Sequence, residues 1–168
     1  MTDEKTSSAA KKIEMIANVA IIIAAVVIVF IFVRNYMNKT ADTIAPGAKL
    51  ALKDVNWESN NKTIVLAVST TCHFCTESAG FYRELVSQCK QQHVRTIAVL
   101  PQPVTEAQSY LGNEGVGVDD IRQVVFHDIP IDGTPTLLLV DGKGTVRSVW
   151  IGKLSESKEK EVLAKLTS

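Results

Sequence analysis

The run Thr63-Ile64-Val65-Leu66-Ala67-Val68 passes through Ser69-Thr70-Thr71 into Cys72-His73-Phe74-Cys75. The run is rich in β-branched residues and free of Gly and Pro, which predicts a buried strand over 63–68. After it the period changes. Phe81, Leu85, Val86 and Cys89 recur at helical spacing and predict a helix from Cys72 to about residue 92, with Gly80 as a place for a bend. Cys72 then stands where a helix leaves backbone N–H groups unpaired, a place that favours an anion. A thiolate is such an anion, so Cys72 is the expected nucleophile, and Cys75, one turn on, the thiol that resolves a mixed disulfide. The chain has three cysteines. That is too few and too odd a number for a disulfide framework, and it fits one redox pair plus a buried, inert Cys89.

A second feature bounds where such a pair would work. Residues 16–33 are apolar except for Asn18. As a helix they reach roughly 27 Å, close to the hydrocarbon thickness of a bilayer. A cleaved signal would have a shorter apolar core and a small-residue cleavage site, whereas this stretch ends in Phe30-Ile31-Phe32-Val33-Arg34. An uncleaved, single-pass anchor is expected. Lys5, Lys11 and Lys12 precede it, and Arg34 and Lys39 follow it. The slight bias puts the N-terminus in the cytoplasm and the C-terminal domain outside the bacterial cytoplasmic membrane. The expected organisation is a tail over 1–12, an anchor over 13–37, a linker over 38–48 with a Pro46-Gly47 turn, and one domain over 49–168. Lys plus Arg balances Asp plus Glu at 18 each, and no basic stripe is interleaved with aromatics, so nucleic acid is not an expected partner.

Within the domain the pattern predicts a short strand or hairpin arm over 49–57 and a strand over 94–100, stopped by Pro101-Gln102-Pro103. A helix over 104–111 follows, then a loop through Asp119-Asp120 and a short strand over 122–127. Gly133-Thr134-Pro135 is a turn. A strand over 136–140, a hairpin at Asp141-Gly142-Lys143-Gly144, a strand over 145–151 and a helix over 155–166 complete the chain. This series argues an α/β fold with a central mixed sheet flanked by helices.

A strand running into Cys-x-x-Cys at a helix start resembles the thioredoxin fold. Gly133-Thr134-Pro135-Thr136, followed by a strand and an Asp-Gly hairpin, is similar to its second hallmark. The resemblance covers about residues 46–168 and is closest to membrane-anchored bacterial thioredoxin-like proteins. It implies a cis peptide at Pro135 facing the cysteines, and a Thr134 backbone that pairs with a bound substrate chain. It also implies thiol–disulfide exchange with protein thiols or disulfides through Cys72 and Cys75, with no cofactor beyond that pair. Phe74 would add an apolar rim. His73, beside the sulfur, would stabilise the thiolate and tune the couple toward oxidation. The chain departs from the family at Thr71, where Trp is usual, at His73-Phe74, and at Leu66, where many thioredoxins carry a buried acid. Leu66 and His73 lean toward a disulfide donor, and the membrane-anchored group leans toward reduction, so the direction of electron flow stays open.

Two alternatives share the fold. Cys72 and Cys75 with His73 or His127 could hold copper or zinc, although a structural zinc site wants four ligands. A peroxiredoxin-like peroxidase would carry Pro and Thr or Ser seven and three residues before its cysteine. Val65 and Ser69 supply half of that signature.

Overall fold

The structure is a computed structural model that describes residues 3–39, 44–126, 128–129 and 131–167. The middle of the expected linker and His127 lie outside the described residues. The chain divides into two compact units, 1–42 and 43–168.

The first unit is one helix, α1 (Asp3–Lys39). Its stretch Met15–Arg34 is 20 residues long and apolar enough to cross a membrane, and it is the one such helix among the described residues. Residues 15–34 are exposed on every side. A helix of that length rises about 30 Å, and with no polar stripe it has no face suited to water.

The second unit contains β1 (Lys62–Ala67), α2 (His73–Glu77), α3 (Ala79–Gln91), β2 (Arg95–Leu100) and α4 (Val104–Asn113). It continues with β3 (Asp120–Gln123), β4 (Thr136–Asp141), β5 (Val146–Ile151) and α5 (Glu156–Thr167). The strands form one sheet in the order β3-β2-β1-β4-β5. β1, β2 and β3 run parallel, while β4 and β5 are antiparallel to their neighbours. Alternation along the strands makes two apolar faces. Ile64, Leu66, Ala98, Leu100, Leu137 and Leu139 face α3, α4 and α5, which contribute residues such as Leu85, Leu111 and Val162. Val65, Ala67, Ile97, Val99, Leu138 and Val140 face the other way, against Ile44, Leu50, Ile129 and Ile131. The second face is thus sealed by irregular chain. β1, central and buried on both faces, reads in sequence as a continuous apolar run for that reason.

Four local expectations are corrected. The helix after Cys72 is two helices, and the break is at Ser78 and not at Gly80. The Ser78 hydroxyl donates to the Phe74 carbonyl at 2.8 Å, and its N–H to the Phe74 and Cys75 carbonyls at 3.1 and 3.2 Å. A side chain competing for helical carbonyls bends a helix at its own position. A Cβ on Gly80 would meet only the end of Arg83, so nothing there requires glycine. The third strand begins at Asp120 and not at Arg122. Asp120 opens the strand and Asp119 lies just before it, and the charges of both are met. Asp119 accepts from the Thr96 N–H and hydroxyl at 2.7 Å each, and Asp120 bridges Arg95 and Arg122 at 3.1 and 2.9 Å. α4 runs two residues past the expected end, through Asn113. Residues 49–57 form no strand. Their one ladder contact is a bridge from Lys49 to Thr145.

Candidate active site

Residues 68–72 carry the chain from the end of β1 into α2. The Val68 N–H still bonds the Val99 carbonyl at 3.1 Å. Then Ser69 to Cys72 close a turn, with the Cys72 N–H on the Ser69 carbonyl at 3.1 Å. The Ser69 hydroxyl also accepts the Thr71 N–H at 3.3 Å, the local side-chain bond that serine commonly makes in turns. Cys72 is thereby delivered in extended conformation to the N-cap of α2. Its Sγ accepts the Cys75 N–H at 3.2 Å. Cysteine occupies the place where Ser, Asp or Asn usually satisfies a free N–H.

Cys72 and Cys75 are joined as a disulfide, with Cα atoms 5.2 Å apart. The two sulfurs differ in access. Cys75 is wholly buried among Leu66, Val68 and Phe81, whereas Cys72 is half-buried at the rim of that cluster. Phe74 between them is 54% exposed, an apolar ring presented to solvent beside the sulfurs.

His73 points along the surface of α2. Its Nε2 lies 2.9 Å from Glu77 Oε1, and the other Glu77 oxygen meets Lys153 Nζ at 2.8 Å. The Lys153 hydrogen bond, with its charge and that of His73, holds the Glu77 carboxyl below the usual range. Lys153 follows Gly152, whose N–H bonds the Pro135 carbonyl at 2.7 Å. The Thr134–Pro135 peptide is cis. Pro135 immediately precedes β4, whose Thr136 pairs with Ala67 at the end of β1. The sheet therefore brings the cysteine turn and the Pro135 turn to the same end.

Sequence reading missed a set of polar residues on the opposite flank of the cysteine turn. Gln102, in the loop between β2 and α4, donates from Nε2 to Ser69 Oγ at 2.8 Å. Glu106, in the first turn of α4, accepts the Thr70 hydroxyl at 2.7 Å. No local pattern in the sequence pairs residues 33 or 36 positions apart. Farther away, Cys89 carries a free thiol that is wholly buried, and burial pushes it up to about 12. Among the described residues no group of three or more His, Cys, Asp or Glu side chains is gathered to hold a metal ion. His127, one of the candidate ligands, is not among them.

With sheet order, cysteine turn and cis-proline turn in place, comparison with solved structures decides the architecture. The thioredoxin domain of a thiol-disulfide oxidoreductase from Bacteroides vulgatus matches with a TM-score of 0.58 at 12% identity, over 75% of this chain and 100% of that one. The domain has the thioredoxin fold. A thiol:disulfide interchange protein from Bacteroides sp. matches with a TM-score of 0.56 at 12% identity, covering 75% and 90% of the two chains. A thiol-disulfide isomerase from Corynebacterium glutamicum matches with a TM-score of 0.54 at 16% identity, over 76% and 93%. No protein-family model matches the sequence, and no curated protein does. Within this thioredoxin fold, Cys72 ends the turn that follows the central strand β1, and Cys75 lies in the first turn of the helix α2 after it.

Proposed function

We propose that the protein is a thiol–disulfide oxidoreductase that exchanges disulfides with extracytoplasmic protein partners. The observation that carries this reading is the asymmetry of the pair. Cys72 is half-buried with its sulfur on the Cys75 N–H, and Cys75 is wholly buried behind it. In the reduced protein that N–H is a donor to a Cys72 thiolate, and charge-assisted bonds of this kind favour ionisation. Cys72 then attacks one sulfur of a partner disulfide. A Cys72–partner disulfide forms, and the partner's other sulfur leaves as a thiolate and takes up a proton. Cys75 loses its proton and attacks Cys72. The Cys72–Cys75 disulfide forms and the partner leaves with its second thiol. The partner is reduced by two electrons and the protein is oxidised by two. Read backwards, the same steps hand a disulfide to a reduced partner, and no cofactor takes part in either direction.

Phe74 serves as an apolar contact for the partner chain, and Thr134 and Pro135 as the wall against which that chain lies. His73 tunes the couple. α1 anchors the domain, with the N-terminal tail in the cytoplasm and residues 49–168 outside the cytoplasmic membrane. An oxidising compartment suits a resting disulfide.

The test is trapping. With Cys75→Ser, partners accumulate as mixed disulfides on Cys72 that dithiothreitol releases. Cys72→Ser traps none. If the two variants trap the same partners, or neither traps any, the reading is wrong.

A further inference from the structure

We propose that Gln102 is a positioning residue for Cys72: its amide, fixed between two prolines, holds the turn at 69–71 so that the Cys72 sulfur stays over the first turn of α2. The inference rests on the dithiol reading above and deepens it.

The argument starts from the backbone. In Pro101-Gln102-Pro103 the prolines lock their own φ, and Pro103 also restricts the residue before it to extended geometry. Gln102 therefore has little backbone freedom, and its side chain is presented from a stiff bracket. That bracket is tied to the sheet. Leu100, just before it, is wholly buried, and the Gln123 side chain at the end of β3 donates to the Pro101 carbonyl at 3.2 Å. Both ends of the Gln102 amide reach across to the cysteine turn. Nε2 donates to Ser69 Oγ at 2.8 Å, and Oε1 accepts the Thr70 N–H at 3.4 Å. Ser69 is 8% exposed, so its hydroxyl has little water to replace that donor.

Ser69 is the hub. Its hydroxyl receives the Gln102 amide and the Thr71 N–H, and its carbonyl receives the Cys72 N–H. A chain of bonds thus runs from β3 through the proline bracket to the residue that carries the nucleophile. Glu106 adds a second tether through the Thr70 hydroxyl. The oxidised pair is fixed by its own covalent bond. The reduced pair has no such constraint, and the turn alone then decides whether Cys72 Sγ keeps the Cys75 N–H. A looser turn leaves the thiolate with poorer hydrogen bonding, which raises its pKa and makes the couple more reducing.

The experiment uses the full chain and the substitution Gln102→Met, which keeps length and shape and removes both bonds. The rate of iodoacetamide alkylation of reduced Cys72 is followed against pH, together with equilibration against glutathione. The expected result is a Cys72 titration moved up by about one unit, so that alkylation near pH 6 slows by about tenfold while the plateau at high pH is unchanged. The glutathione equilibrium moves toward the more reducing side. Ser69→Ala breaks the same bond from its other end and is expected to shift Cys72 in the same direction. The double variant is expected to shift it no further than the larger single effect, the signature of a shared interaction. A wild-type titration and glutathione equilibrium in Gln102→Met would overturn the proposal. So would additive shifts, or a slowing that is equal at every pH. If wild type exchanges with no disulfide at all, the reading of function fails, whereas the alkylation profile still scores the role of Gln102 by itself.

Discussion

The Cys75 backbone nitrogen lies 3.2 Å from the Cys72 sulfur and 3.1 Å from the Cys72 carbonyl oxygen, so a donor in the first turn of α2 is shared between two acceptors of the more accessible cysteine. Three thiols exist in the reduced protein, and the fold ranks them. Cys75 and Cys89 are wholly buried, and burial, with the Asp119 charge second, pushes Cys89 up to about 12. At pH 7 the reduced protein is expected to take one iodoacetamide adduct rapidly, at Cys72, with the other two appearing only on unfolding. Mass spectrometry of timed samples checks this, and Cys89→Ser is expected to leave the fast adduct in place.

His93 ends α3 in a left-handed conformation, with φ at +55°. Its neighbour Val94 sends an N–H back to the Cys89 carbonyl at 2.9 Å, the wrap that closes many helices and usually has glycine at the turning residue. Left-handed geometry costs a residue with a Cβ roughly 1–2 kcal/mol. His93→Gly is expected to stabilise the domain by about 1 kcal/mol, read as a higher urea midpoint with an unchanged slope.

Gly144 closes the β4–β5 hairpin at a φ of +72°, and a Cβ there would stand 2.8 Å from Trp57 Cδ1. Backbone strain and overpacking against the ring act together. Gly144→Ala is expected to destabilise by about 3 kcal/mol in urea unfolding. A shift within 0.5 kcal/mol, roughly the range of an ordinary surface substitution, would mean that the ring moves aside freely.

The same hairpin sets part of the acid limit of stability. Asp141 accepts the Thr145 and Lys143 N–H groups at 2.9 Å each and pairs with Arg147 at 2.7 Å. The Thr145 bond, with the Lys143 bond and Arg147, holds its carboxyl below the usual range. A lowered folded pKa contributes stability that is present above the unfolded value of about 3.9 and is lost as pH falls through the folded one. Asp141→Asn keeps acceptors for the two N–H groups and cannot titrate. It is expected to lower the melting temperature modestly at neutral pH and to flatten its fall below about pH 4, where the protonated wild type has lost the same contribution.

The legible parts of this fold are those whose causes are local. A β-branched run that is buried on both faces, a helical period, and turn residues at Asp141–Gly144 and Gly133–Pro135 carry their structure in short windows of sequence. The errors lie where distant groups decide. Asp120 looks like loop until Arg95 and Arg122 satisfy it. Ser78 is an ordinary helix residue until its hydroxyl takes the Phe74 carbonyl. Residues 49–57 alternate like a strand, yet Leu50 and Leu52 are used to cover the second face of the sheet. At the site, Cys72, Cys75 and Pro135 stand out by type and spacing. Gln102 does not, because between two prolines it reads only as a stop, and its partners Ser69 and Thr70 are adjacent in space alone.

The central claim is that Cys72 and Cys75 form a working redox couple, and equilibration of the full-length protein with glutathione buffers tests it most directly. Alkylation and mass analysis would follow the pair across the buffer series. A reversible two-electron transition at about −270 to −120 mV, the span from thioredoxin to strong oxidants, is the expected result, and Cys72→Ser should abolish it. A disulfide that fails to exchange, or one that stays closed below about −300 mV as structural bridges do, would contradict the account.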